Sequence, residues 1–121
     1  MYPPIFQLIS ADTDAKKALG TSPTRLYPFG AAPESVTLPY AVWQTVSGYP
    51  ENYLSETPDV DQWTIQVDVY AATATSARST AQVLRDAIEP HAHITAWRGE
   101  SRDPETGHYR YSFDVDFLTP R

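Results

Sequence analysis

The sequence predicts an α+β domain: a mostly antiparallel sheet of four to five strands, two helices on one face, a split βαβ element and a long β-hairpin. Two observations carry this prediction. Trp63, Ile65, Val67, Val69 and Ala71 alternate with Thr64, Gln66, Asp68 and Tyr70, the period of a half-buried strand whose side chains point to opposite faces in turn. From Ala74 the period lengthens, with Ala77, Ala81, Leu84 and Ile88 at helical spacing. A strand running straight into an amphipathic helix with a small-residue face describes a helix laid close on a sheet.

The chain has 121 residues, the length of one domain, residues 1–121, with enough burial for a core that needs no covalent staples. It contains no cysteine, which excludes a disulfide framework, a thiolate zinc site and a redox couple. Its formal charge of −6 disfavours grip on a phosphate backbone, and the basic residues are scattered, with no run longer than Lys16-Lys17. No basic region followed by an apolar run opens the chain, and no stretch approaches a membrane span. Eleven prolines suggest rigid connections.

The remaining elements follow in order. Pro3 and Pro4 suit the first turn of a helix, where a missing amide donor costs nothing. Ile5, Leu8 and Ile9 give that helix an apolar stripe, so residues 3–19 are expected as a helix broken near Asp12, a good cap, and closed by Gly20. Thr24–Phe29 is expected as a short edge strand, because Pro28 cannot donate to a ladder. Tyr40–Gly48 is the next strand; Tyr40, Val42 and Val46 on one side and Ala41 and Trp43 on the other predict cover on both faces. YPENYLSETPDVD (Tyr49–Asp61) joins it to the central strand as the tip of the hairpin, with Tyr49, Pro50, Tyr53 and Leu54 placed where burial within one copy is hard to arrange. His91–Glu100 and His108–Leu118 are the last two strands, joined by the turn residues Asp103, Pro104 and Gly107. In the final strand Tyr109, Tyr111, Phe113, Val115 and Phe117 alternate with Arg110, Ser112, Asp114 and Asp116. A right-handed crossover through the helix returns the His91 strand parallel to the central one, with the last strand between them.

Chemical candidates are few. His91 and His93, two apart on a strand, would share a side and could chelate zinc or iron with a carboxylate; two ligands without a recognisable third are weak grounds, and a polar strand start explains them as well. Asp68, Asp114 and Asp116 would converge on the face away from the helices, where they could bind a hard cation, contact a neighbour or simply meet solvent. Arg98 and Arg102 flank a turn as rim charges. Neither phosphate-cradling glycine motif occurs, and there is no G-x-S-x-G elbow. No catalytic residues, cofactor or metal are assigned; the exposed tip aromatics weigh more, as contacts for a partner.

LYPFGAAPESVTLPYAVWQTVSG, PENYLSETPDVDQWTIQVDVYA and WRGESRDPETGHYRYSFDVDFLTPR together resemble a family of siphophage tail completion proteins found in phages and prophages, from YPPIF at the start to FLTPR at the end. The family is similar in fold to the phage lambda tail terminator. The resemblance implies a non-enzymatic virion protein that caps the tail tube as a hexameric ring and offers a surface for head–tail joining. The implied partners are further copies of the chain, the tail tube protein and the head–tail connector protein. DNA passes through the lumen, no membrane is involved, and the place is the virion tail after assembly in the host cytoplasm. Tyr49, Pro50, Tyr53, Leu54, Asp68, Asp114 and Asp116 are the expected partner interface. A head-side adaptor or stopper is one alternative, and a small metal-dependent hydrolase built on His91 and His93 is another.

Overall fold

The computed structural model describes residues 4–21, 24–50 and 60–120, with 47–50, 60–62 and 118–120 described by their backbone alone. Two short helices open it, α1 (Ile5–Ala11) and α2 (Thr13–Leu19). Asp12 makes the break between them: its extended backbone ends α1 and its carboxylate accepts from the Ala15 amide at 2.9 Å, capping α2. Gly20 closes α2 at a φ of 88°, open to glycine at little cost, and its amide donates to the Lys16 carbonyl.

Strands β1 (Leu26–Pro28), β2 (Tyr40–Pro50) and β3 (Val60–Ala71) come next. Helix α3 (Ala74–Ile88), β4 (His93–Arg102) and β5 (Tyr109–Pro120) complete the order. The five strands form one sheet in the order β1-β2-β3-β5-β4. β1 pairs parallel to β2 and the other pairs are antiparallel. The chain therefore crosses over through α3 and places β5 between β3 and β4, as the split βαβ expectation requires.

All three helices lie on one face. Thr73 caps α3 by accepting from the Ser76 amide at 3.1 Å, and Ala77 and Ala81, both buried, let the helix approach the sheet closely. Leu84 and Ile88 meet the core that Ile65, Val67, Val69, Phe113, Val115 and Phe117 raise from β3 and β5, and Ile5, Ile9 and Leu19 join it from the opening helices. The dry side is therefore built from the period-two and helical-period residues legible in the chain.

β2 departs from expectation. Ala41 and Trp43 are buried under the helices, but Val46 on the other side is 49% exposed. Cover on both faces of this strand is thus not found: a bulge between Thr45 and Ser47 shifts the register there, and no described element packs on that side. The helix-free face is left open.

Candidate assembly surfaces

On the open face, register places the polar residues of β3 and β5 opposite one another: Asp68 beside Ser112, Gln66 beside Asp114, Thr64 beside Asp116. Asp68, Asp114 and Asp116 do share this face. They do not form a cluster of free carboxylates. The Ser112 hydroxyl and the Gln66 amide, the latter at 3.0 Å, both donate to Asp68 Oδ1. Arg98 clamps Asp114 with two parallel bonds, Nε to Oδ1 at 3.0 Å and Nη2 to Oδ2 at 2.7 Å, the fork geometry that suits a guanidinium to a carboxylate. Thr64 donates to Asp116 at 2.6 Å.

The consequence shows in burial. Asp68, Ser112 and Asp114 are each 7% exposed or less although no helix covers them; their own partners roof them. Buried polar groups persist where their bonds are made, and no described buried side-chain nitrogen or oxygen lacks a partner. Arg98 is accordingly not the free rim charge its position suggested. It reaches the open face because β4 carries bulges between Ile94 and Ala96 and between Trp97 and Gly99, and a bulge re-aims side chains that strict alternation would place elsewhere.

Toward the β4–β5 turn the face becomes aromatic. Tyr40 and Tyr70 stack with centroids 5.1 Å apart. Burial pushes the Tyr40 hydroxyl above its ordinary pKa, with Tyr70 and Asp103 adding to the shift. Phe29, 73% exposed, and Arg110 stand over the same hollow of about 360 Å³.

A second concave feature lies on the free edge of β4, beside the last turn of α3. Trp97 stacks on Phe113 at 5.1 Å and leans on Tyr111 at 4.9 Å, while the Arg85 guanidinium sits 5.3 Å from its ring centre. Arg85 is itself paired with Glu89. These residues, with Ala92, His93 and Ile94, line an open pocket of about 520 Å³, and Trp97 keeps 38% of its surface exposed.

The histidine pair does not survive. His91 lies in the turn after α3, its amide donating to the Ile88 carbonyl, and only His93 belongs to β4. The two therefore do not share a strand face, because Pro90 and the closing turn of the helix delay the strand by two residues. Among the described residues no group of three or more His, Asp or Glu could hold a metal ion, and none of the described helices is long and apolar enough to cross a membrane. At the hairpin, Tyr49 and Pro50 continue β2, paired with Gln62 and Asp61 of β3; Tyr53 and Leu54 lie outside the described residues.

The sequence matches the family of tail completion protein gp17 over residues 3–119. The chain belongs to that family. The resemblance seen in the sequence is therefore shown, and a tail completion protein is a structural component of a phage tail. The fold of this tail completion protein is also similar to a chain of the virion of a native gene transfer agent (GTA) particle. The TM-score is 0.69 at 13% identity, covering 97% of this chain and 92% of that one. At that identity the likeness is one of fold. A comparison with curated proteins finds no match.

Two groups of residues on these surfaces escape the sequence reading. Arg85 and Trp97 meet only because α3 ends against the β4 edge, and Arg98 reaches Asp114 only through the bulges. The one local signal was on β5, where Ser112 and Asp114 occupy alternate places on an interior strand and so require donors from strands on either side.

Proposed function

We propose that this protein is a non-enzymatic virion subunit that caps the tail tube as a ring, six copies being the number the tail-terminator likeness suggests, and offers the head–tail connector a surface to join. What supports this reading is family membership taken together with a sheet that ends in two exposed edges. β1 covers only Ala41–Trp43 of β2, and the outer edge of β4 is unpaired among the described residues. Two different edges allow head-to-tail contacts, and such contacts close into a ring when the rotation permits.

The surfaces so employed are the hairpin tip, with Tyr49, Pro50, Tyr53 and Leu54, and the open face around Asp68, Asp114 and Asp116. Arg98 neutralises Asp114, whereas the donors to Asp68 and Asp116 are the neutral Gln66, Ser112 and Thr64, so the open face combines a fixed hydrogen-bonded shape with the charge of those two carboxylates. The net charge of −6 still suits a lumen through which DNA slides without adhering. The subunit assembles in the host cytoplasm and resides in the virion tail.

Loss of the gene in the parent phage tests the role. A terminator's absence gives tails of uncontrolled length, whereas absence of a head-side adaptor or stopper gives tails of normal length beside unjoined heads. Tails of normal length would overturn the terminator assignment.

A further inference from the structure

We infer that the helix-free face of the sheet receives the lysine-bearing end of α2 from a second copy of this chain, with Lys16 and Lys17 meeting Asp68 and Asp103. The inference rests on the ring reading above and names the two surfaces that meet.

Unmatched negative charge is the first ground. Both donors to Asp68, the Gln66 amide and the Ser112 hydroxyl, are neutral, and the nearby Arg98 gives two donors to Asp114 instead. Asp68 is nonetheless only 7% exposed, and a buried carboxylate facing no opposite charge is destabilising. It lines the hollow of about 360 Å³ together with Asp103, whose bonds come from the Glu105 amide at 2.9 Å and from Thr106. Arg110 lines the hollow too, but it donates to the Ser101 hydroxyl at 3.3 Å and forms no ion pair with either acid. A further cation is the occupant that gains most here, and the stacked Tyr40 and Tyr70 rings in the lining add an aromatic surface that attracts one.

Unmatched positive charge is the second. Lys16 and Lys17 are the only lysines in the chain, and both stand in the last turn of α2. Among the described residues they are the Lys and Arg side chains with neither an ion pair nor a hydrogen bond. Arg78, Arg85 and Arg98 are paired with acids, and Arg25, Arg102 and Arg110 donate to backbone carbonyls or to Ser101. Asp14, one turn earlier in α2, makes no ion pair with Lys17. The end of a helix suits a positive charge but engages neither ammonium group.

Position decides between the molecule's own lysines and a neighbour's. α2 lies on the core side of the sheet, where Ala15 and Leu19 are buried, and Asp68 stands on the other side, so the sheet itself separates them within one copy. The end of α2 is also fixed: the Arg25 amide donates to the Leu19 carbonyl at 2.8 Å and its guanidinium to the Ala18 carbonyl at 3.3 Å. The lysines that fill the hollow therefore come from another copy. Such a contact joins a helix-side surface to an open-face surface, which makes it head-to-tail, the kind that closes into a ring. Exposed apolar side chains accompany the charges on both surfaces, Phe6 on α1 and Phe29 with Val46 on the open face. Each copy carries a charge of −6, and like-charged copies associate only through local complementarity of this kind.

The absence of any other lysine makes the test clean. Isotopically light and heavy copies are mixed, alone and on isolated tail tubes, and treated with a carbodiimide, which joins an amine directly to a carboxylate with no spacer. The linked peptides are then read by mass. The expected result is a link from Lys16 or Lys17 of one copy to Asp68 or Asp103 of another. Links confined to single copies, to any other acid or to the tube protein would overturn the inference. Oligomers seen by mass but carrying no lysine link would overturn it while leaving the ring intact; a chain that stays monomeric even with tubes would overturn both. As a second measurement, the double variant Lys16→Gln/Lys17→Gln should weaken assembly about tenfold and flatten its dependence on salt. Assembly unchanged in strength and in salt response would overturn the contact.

Discussion

The two faces of one sheet solve burial in opposite ways. Under the helices, β3 and β5 present Ile65, Val67, Val69, Phe113 and Val115, all fully buried and apolar, so the face is held by water exclusion and close packing. On the other side the same strands present Gln66, Asp68, Ser112 and Asp114, also largely buried, and held by side-chain hydrogen bonds with no layer above them. The first face is a finished interior. The second is a surface whose side chains are fixed by their own hydrogen bonds.

Deleting a core ring should break the first face outright. Phe113→Ala removes a fully buried side chain from beneath α3 and Trp97, with an expected loss of about 3–5 kcal/mol, read as a fall in the midpoint of chemical denaturation. A loss under 1 kcal/mol would mean that the dry face is not the source of stability. Next in size is Asp68→Ala, which strands the Ser112 hydroxyl and the Gln66 amide. About 1–3 kcal/mol should go, and the open face should lose its order while the near-ultraviolet signature of the core is kept. An equal collapse of both faces would show that they are not separable.

Smaller still is Thr73→Ala, which removes the α3 cap for about 1 kcal/mol. It acts through the helix and should leave the open face untouched, as amide exchange on β3 and β5 can report. The smallest effect is in pH. The Arg78 hydrogen bond holds Glu100 below the usual carboxylate range, and the Glu105 amide does the same for Asp103. Groups so depressed add stability above their unfolded pKa, near pH 4, and lose it as the pH falls through the lower folded value. Acid titration of stability should therefore show a shallow decline below about pH 4 that the Glu100→Gln variant flattens; an unaltered profile would remove Glu100 from the account.

How much of this was legible follows from the range of each interaction. Period and caps are local, so β3, α3, the break at Asp12 and the strand order from the crossover could all be taken from the residues. The bulges of β4 could not, because they depend on how an edge strand fits its neighbour; with them went the Arg98–Asp114 clamp. The His91–His93 pairing failed for a related reason: where a helix stops is set by its final turn, here carried past Ile88 by the bonds to its carbonyl from His91 and Ala92. The cover expected on both sides of β2 failed because an apolar side chain does not by itself secure cover: Val46 sits at the bulge between Thr45 and Ser47 and stays exposed.

The central claim is that this chain works by being assembled. Purified protein mixed with isolated tail tubes, imaged and weighed across a range of concentrations, tests it most directly. Rings of a fixed number of copies seated at one end of each tube are the predicted result. Protein that stays monomeric and leaves both tube ends bare at every concentration would contradict it.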